Sequence, residues 1–276
     1  MKRILVTTDL SANSKAALRF AIQLASQHDY QLTVYHAYKI MRPTSWKDSM
    51  FSSIERNETK IVRRELMKFV NSVSRSIGRS PHKILCVAKK DRHIDRSITD
   101  YAAQHQFDYI CISRKGHGES LQLFGSTTTN LITRSEVPVI TVPANYRRSK
   151  IDKIAYASDL MNLEDELKKV LDVSQHLDAK VELLHFKVPM SYLDDEKRFE
   201  KLNEELSAHN ITPHYENLNY EQTLIANINK TIVSNKPSVM IMFTQQKRTL
   251  FEKLFLSSIS AEYASMTKIP LLVFKK

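Results

Sequence analysis

The chain has 276 residues, 42% of them hydrophobic and 26% charged, with a formal net charge of +11. That composition gives room for two ordinary globular domains and excludes a disordered, collagenous or disulfide-stapled chain. No apolar run is long enough to span a bilayer, and the opening reaches an acid at Asp9 too soon for a secretion signal, so a cytoplasmic protein with no membrane partner is expected.

Ile4–Thr8 reads as a strand. Ser14–Ser26 carries Ala17, Leu18, Ala21, Ile22, Leu24 and Ala25 at helical spacing, which predicts a helix with a broad apolar face. Leu32–Tyr38 is the second strand. Lys39–Phe51 is the least patterned stretch; it holds Trp46, the only tryptophan, and reads either as a lid or as a surface loop. A long helix follows from about Ser52 to Ile77, then a strand at Ile84–Ala88, a helix at Ile94–His105 and a strand at Tyr109–Ser113. A helix at Ser126–Ser135 and a strand at Val137–Val142 close this half. Cys86 and Cys111 both lie in strand-like runs, as buried free thiols in a reducing compartment would.

Three of the four glycines, Gly116, Gly118 and Gly125, fall within ten residues, directly after the strand that ends at Ser113 and before the helix at Ser126. Strand, glycine loop, helix is the order that brings backbone N–H groups to phosphate oxygens. The same residues also suit a tight turn followed by a helix start, and the glycines alone leave both readings open. Charge is uneven as well. Residues 1–146 hold 22 Lys and Arg against 12 Asp and Glu, whereas residues 147–276 hold 19 against 18. A basic half beside a neutral one suits an anionic partner for the first half, or simply a solvated surface.

The chain is written twice. Lys2–Leu10 matches Asp152–Leu160, Ser26-Gln27-His28 recurs as Ser174-Gln175-His176, and Leu32–Ala37 recurs as Val181–Phe186. Phe124-Gly125-Ser126 answers Leu256-Ser257-Ser258, and Val137–Val142 answers Ile269–Phe274. A period this long marks a duplicated domain rather than a solenoid. The expected domains are 1–146 and 150–276, joined through Ala144–Ser149. Each reads β-α-β-α-β-α-β-α-β, which implies a mainly parallel sheet with helices on both faces. Such sheets bind ligands beyond the carboxyl ends of their strands, where the strand order reverses. Asp9, the residues after His36 and the glycine loop all fall at those ends.

Taken together, the opening Ile4–Asp9, the strand ending His36-Ala37, the loop Ser113–Ser126 and the closing Val137–Val142 resemble the universal stress protein family in its tandem form. The resemblance implies two Rossmann-like domains of the adenine nucleotide alpha hydrolase-like type, each with a five-stranded sheet. Nucleotide-binding members carry Gly-x-x-Gly, nine residues, then Gly-Ser or Gly-Thr. Here Ser113 stands at the first glycine, Gly116 at the second, and Gly125-Ser126 at the closing pair, with eight residues between Gly116 and Gly125. By resemblance, Thr8 and Asp9 would meet the ribose or adenine and Ala37 the base. Ile112 and Ser113 would border base and sugar. Gly116, Gly125, Ser126, Thr127 and Thr128 would hold the phosphates. The implied ligand is ATP, AMP or ADP, with magnesium accompanying ATP. Asp9 also suits a turn acid beside Ser11 and Asn13.

In the second half Thr244-Gln245-Gln246-Lys247 stands where the Gly-x-x-Gly would be, Ser257-Ser258 where Gly-Ser would be, and Phe186 replaces Ala37. This copy reads as a scaffold or partner surface. By resemblance, strands 137–142 and 269–274 would pair within the chain, with a homodimer or another protein as a further partner.

No phosphate-binding P-loop and no nucleophile elbow is present, and the histidines lack zinc-like spacing. The recurring His36 and His185 read as structural. No catalytic residue and no metal ligand is assigned, and any ATP hydrolysis implied by the family would be slow. Three functions stay open: a regulatory protein binding an adenine nucleotide in its first half, an interaction module that binds none, and a nucleic-acid binder, for which no reader motif is seen.

Overall fold

The computed structural model describes residues 1–40, 48–78, 84–114, 126–187, 196–244 and 267–275. The chain divides into two compact units, Met1–Arg148 and Ser149–Lys276.

The first unit runs β1 (Lys2–Thr7), α1 (Lys15–Gln27), β2 (Tyr30–Tyr38), α2 (Asp48–Ser76), β3 (Leu85–Lys90), α3 (Ile94–Gln104), β4 (Tyr109–Ser113), α4 (Ser126–Arg134) and β5 (Val139–Val142). Its strands lie in the order β3-β2-β1-β4-β5, and every pair is parallel. The first strand is central, so Ile4, Leu5 and Val6 are fully buried. A strand buried on both faces needs an unbroken apolar run, and the sequence supplies one. The small side chains of Ala16 and Ala17, also fully buried, let α1 approach the sheet closely. The Cys111 thiol donates to the Ala17 carbonyl at 3.6 Å. The predicted long helix starts four residues earlier than its apolar pattern does, at Asp48. Of the candidate lid, residues 41–47, including Trp46, lie outside the described residues.

The second unit repeats the plan with β6 (Lys153–Ala157), α5 (Leu163–Leu177), β7 (Lys180–Lys187), α6 (Glu196–Ala208), β8 (Ile211–Asn217), α7 (Leu224–Asn235), β9 (Val239–Thr244) and β10 (Leu271–Lys275). Its order is β10-β9-β6-β7-β8, again all parallel. In both units the chain builds outward from its first strand on one side, then crosses to place its fourth strand on the other. That reversal lies between β1 and β4, and between β6 and β9.

Strand register corrects one equivalence drawn from the sequence. Leu5 lies opposite Ile110, and its counterpart Ala155 lies opposite Met240. Counting along the strands puts Phe243, not Thr244, at the position of Ser113. The neighbouring ladder agrees: Ser113 faces Val142, and Phe243 faces Phe274. Sequence matching slipped by one because the two fourth strands share apolar character but no identical residues.

Candidate functional site

In the first unit the site builds from the bend that follows β1. The Thr8 amide donates to the Tyr35 carbonyl at 3.0 Å, which extends the strand by one bond. The Thr8 hydroxyl then accepts from the Leu10 amide at 2.9 Å and lies 2.7 Å from the Ser14 hydroxyl, which donates to the Ser11 carbonyl at 2.9 Å. Asp9 Oδ1 accepts from the Ser11 amide at 3.0 Å. His36 Nδ1 sits 2.7 Å from the Thr8 carbonyl. A carbonyl only accepts, so Nδ1 carries the proton in this bond. These bonds force Leu10 into the left-handed region, with φ at +63°.

Thr8 is thus buried and bound up in the bend, whereas Asp9 is exposed. Partial burial pushes the Asp9 carboxyl up, but hydrogen bonds from the Ser11 side chain and amide and from Ser14 outweigh it and hold the group below its ordinary value. A carboxylate is therefore kept at the carboxyl end of the central strand. Ala37 lies partly exposed near the end of β2, opposite Lys89 of β3, and Ile112 is buried in β4 between Thr7 and Thr141.

Ser113 ends β4, and its side chain has a partner in α1. Its hydroxyl accepts from the Ala17 amide at 2.6 Å, so a residue 96 positions away caps the first turn of α1. The residue at the helix boundary, Ser14, makes no side-chain cap bond of its own. The first N–H groups of any helix lack intrahelical partners, and here the fourth strand supplies one. Sequence reasoning missed this bond because capping signals are sought next to the helix, not on a distant strand.

Gly116, Gly118 and Gly125 lie outside the described residues. Beyond them α4 begins at Ser126, with Thr127 partly exposed and Thr128 buried. Asn130 of α4 donates to Asp95 of α3 at 2.7 Å, tying the two helices together. The carboxyl ends of β1 and β4 lie side by side at the reversal point. Among the described residues no group of three or more His, Cys, Asp and Glu is placed to hold a metal, and no helix is long and apolar enough to cross a membrane.

The second unit keeps the bend and changes its surroundings. The Ser158 hydroxyl accepts from the Leu160 amide at 3.0 Å, Asp159 Oδ1 accepts from the Met161 amide at 3.1 Å, and His185 Nδ1 lies 3.0 Å from the Ser158 carbonyl. Leu160 has φ at +62°. Yet the Ser158 hydroxyl donates to the buried Glu166 carboxylate at 2.8 Å, and the Tyr156 hydroxyl donates to the same oxygen. Burial first, and then the Glu166 charge, push the Tyr156 phenol far up. Phe243 meets Tyr156 edge-on at 5.7 Å and stacks on Phe274 at 5.3 Å. Rings and a carboxylate thus occupy the region of the end of β9 where the first unit has Ser113. One sequence signal for Glu166 existed: it falls in line with Val170, Val173 and Leu177 on the apolar stripe of α5, an odd place for an acid. Lys247, Ser257 and Ser258 lie outside the described residues.

Together, a parallel sheet built twice with helices following its strands and a strand-order reversal in each copy define a doubly wound α/β domain. The model of the universal stress protein family matches residues 1–143, and the chain belongs to that family. A universal stress protein from Archaeoglobus fulgidus DSM 4304 has a similar structure, with a TM-score of 0.69 and 15% identity over 99% of this chain and 98% of that one. A functionally unknown protein from Pseudomonas aeruginosa PAO1 follows with a TM-score of 0.64 and 14% identity, over 100% of this chain and 92% of that one. At these identities the likeness speaks for the fold. No curated protein matches the chain in sequence.

Proposed function

We infer that this is a regulatory protein whose N-terminal unit binds one adenine nucleotide (ATP, ADP or AMP) at the carboxyl ends of β1 and β4. The observation that supports the reading is the strand-order reversal between β1 and β4, with the exposed Asp9 carboxylate at the end of one strand and the glycine loop leaving the other. Ribose hydroxyls suit a carboxylate acceptor, and phosphates suit the main-chain amides of a glycine loop at a helix N-terminus. Arg114, Lys115 and His117 add cationic or donor groups to the same loop. The second unit, with Tyr156, Glu166 and Phe243 at its own reversal, binds none.

A competing reading, an interaction module without nucleotide, draws support from Thr8 and Ser113, whose hydroxyls are both committed to internal bonds. Calorimetric titration with ATP and magnesium, ADP and AMP separates the two. One site per chain is expected, weakened at least about tenfold by Gly125→Val, which blocks close approach of the main chain, and unchanged by Ser257→Val. A protein that takes up no nucleotide at millimolar concentration is the interaction module instead.

A further inference from the structure

We propose that His36 reads the base of the bound nucleotide, accepting a hydrogen bond from the exocyclic amine of a 6-aminopurine; this rests on the nucleotide reading above. Both units use a histidine near the end of their second strand to grip the carbonyl that ends the first, at 2.7 Å for His36 and 3.0 Å for His185. That shared bond is architectural, because both units make it. It also fixes the tautomer. With Nδ1–H given to the Thr8 carbonyl, the neutral ring carries its lone pair on Nε2.

What differs is the exposure of the ring. His185 is buried, with Phe199 at 6.1 Å and Tyr215 at 6.4 Å between ring centroids. His36 is partly exposed, lies parallel to the Tyr38 ring at 6.0 Å, and has no hydrogen-bond partner on Nε2 among the described residues. The residue after it is Ala37, and the residue it holds precedes Asp9. The first unit therefore presents an oriented acceptor on the residue next to Ala37, bonded to the residue before Asp9, the two positions that the resemblance gives to base and ribose. Adenine offers an amine hydrogen there. Guanine offers a carbonyl oxygen, which would face a second acceptor. Discrimination of this kind is strong where a polar group is left unmatched.

The test is a cycle between protein and ligand. Full-length wild type and His36→Asn are titrated with ATP, GTP and the triphosphate of purine riboside, which lacks the 6-amino group. An asparagine amide nitrogen reproduces the Nδ1 donor to Thr8 and leaves out the Nε2 acceptor. In the wild type, ATP should bind more tightly than the purine riboside compound by about three- to tenfold, the effect of one neutral hydrogen bond. In His36→Asn that factor should vanish, and the preference for ATP over GTP should fall by a similar amount, with circular dichroism unchanged. If the His36→Asn variant does not fold, wild type with the three ligands still decides: equal binding of ATP and the purine riboside compound overturns the proposal. So does an undiminished factor in a folded His36→Asn. Absence of binding by any of the three ligands overturns instead the nucleotide reading on which this one stands.

Discussion

Replacing Ser113 by alanine removes a single oxygen and gives the most direct test of how the first unit is held together. The lost atom accepts from the Ala17 amide at 2.6 Å, and Ala17 is fully buried, so water has no access to replace it. Removing a helix cap costs about 0.5–2 kcal/mol. Leaving a buried N–H without a partner costs about 1–3 kcal/mol. The two estimates describe one event and overlap at about 1–2 kcal/mol, which for a unit of this size lowers the melting temperature by roughly 2–8 °C. Circular dichroism during urea or thermal unfolding reads the change. Ser113→Thr keeps the hydroxyl and should stay close to the wild type. Ser113→Gly restores the family's residue yet uncaps α1, so it should be destabilised at least as much as Ser113→Ala. An alanine variant as stable as the threonine one would refute the long-range cap.

Asp9→Ala and Asp159→Ala each remove the carboxylate of the same bend and should cost similar stability, about 1 kcal/mol each, in their own units; only Asp9→Ala should also weaken nucleotide binding in the calorimeter. Because the folded Asp9 carboxyl titrates below its ordinary value of 3.8, its contribution is complete above about pH 5 and is lost as pH falls through the folded value. An NMR titration of Asp9 with a midpoint at or above 3.8 would contradict that bend geometry. Tyr156→Phe takes a hydroxyl donor from the buried Glu166 and should destabilise the second unit by about 1.5–3 kcal/mol, read as a lower urea midpoint. Burial pushes both thiols up, and Cys111 is fully buried while Cys86 is partly exposed. A thiol reagent at about pH 8 should therefore modify Cys86 slowly and Cys111 only on unfolding.

Much of the architecture was legible because parallel sheets write themselves in buried apolar runs. Ile4-Leu5-Val6 and Ile110-Cys111-Ile112 read as strands from their apolar runs, and the structure adds that both strands lie inside the sheet. The duplication made the second unit legible by comparison with the first. The edges of elements were harder: the last strand was read from Val137, but regular pairing begins at Val139, after Pro138. The candidate site was legible as positions and much less as roles. Thr8, Asp9 and Ser113 stand at the expected strand ends, yet their hydrogen bonds run inward to Ser14, Ser11 and Ala17. No one-dimensional pattern announces a bond between residues 113 and 17, since it exists only once two strands and a helix have met. Glu166 marks the opposite case, a visible anomaly on an apolar stripe whose partners the spacing alone does not name.

Leu10 and Leu160 share one more consequence. Each turns the main chain through a conformation that L-residues other than glycine, asparagine and aspartate avoid, at a cost of about 1–2 kcal/mol. Glycine would relieve that cost but would bring no side chain, and Leu160 is buried at 3% exposure. The Leu160 side chain is a peg driven from the corner into the interior, and that corner keeps its angle because the peg is seated. The first unit turns the same corner on Leu10, whose side chain is only partly buried, so there the angle rests on the hydrogen bonds of Thr8 and Asp9.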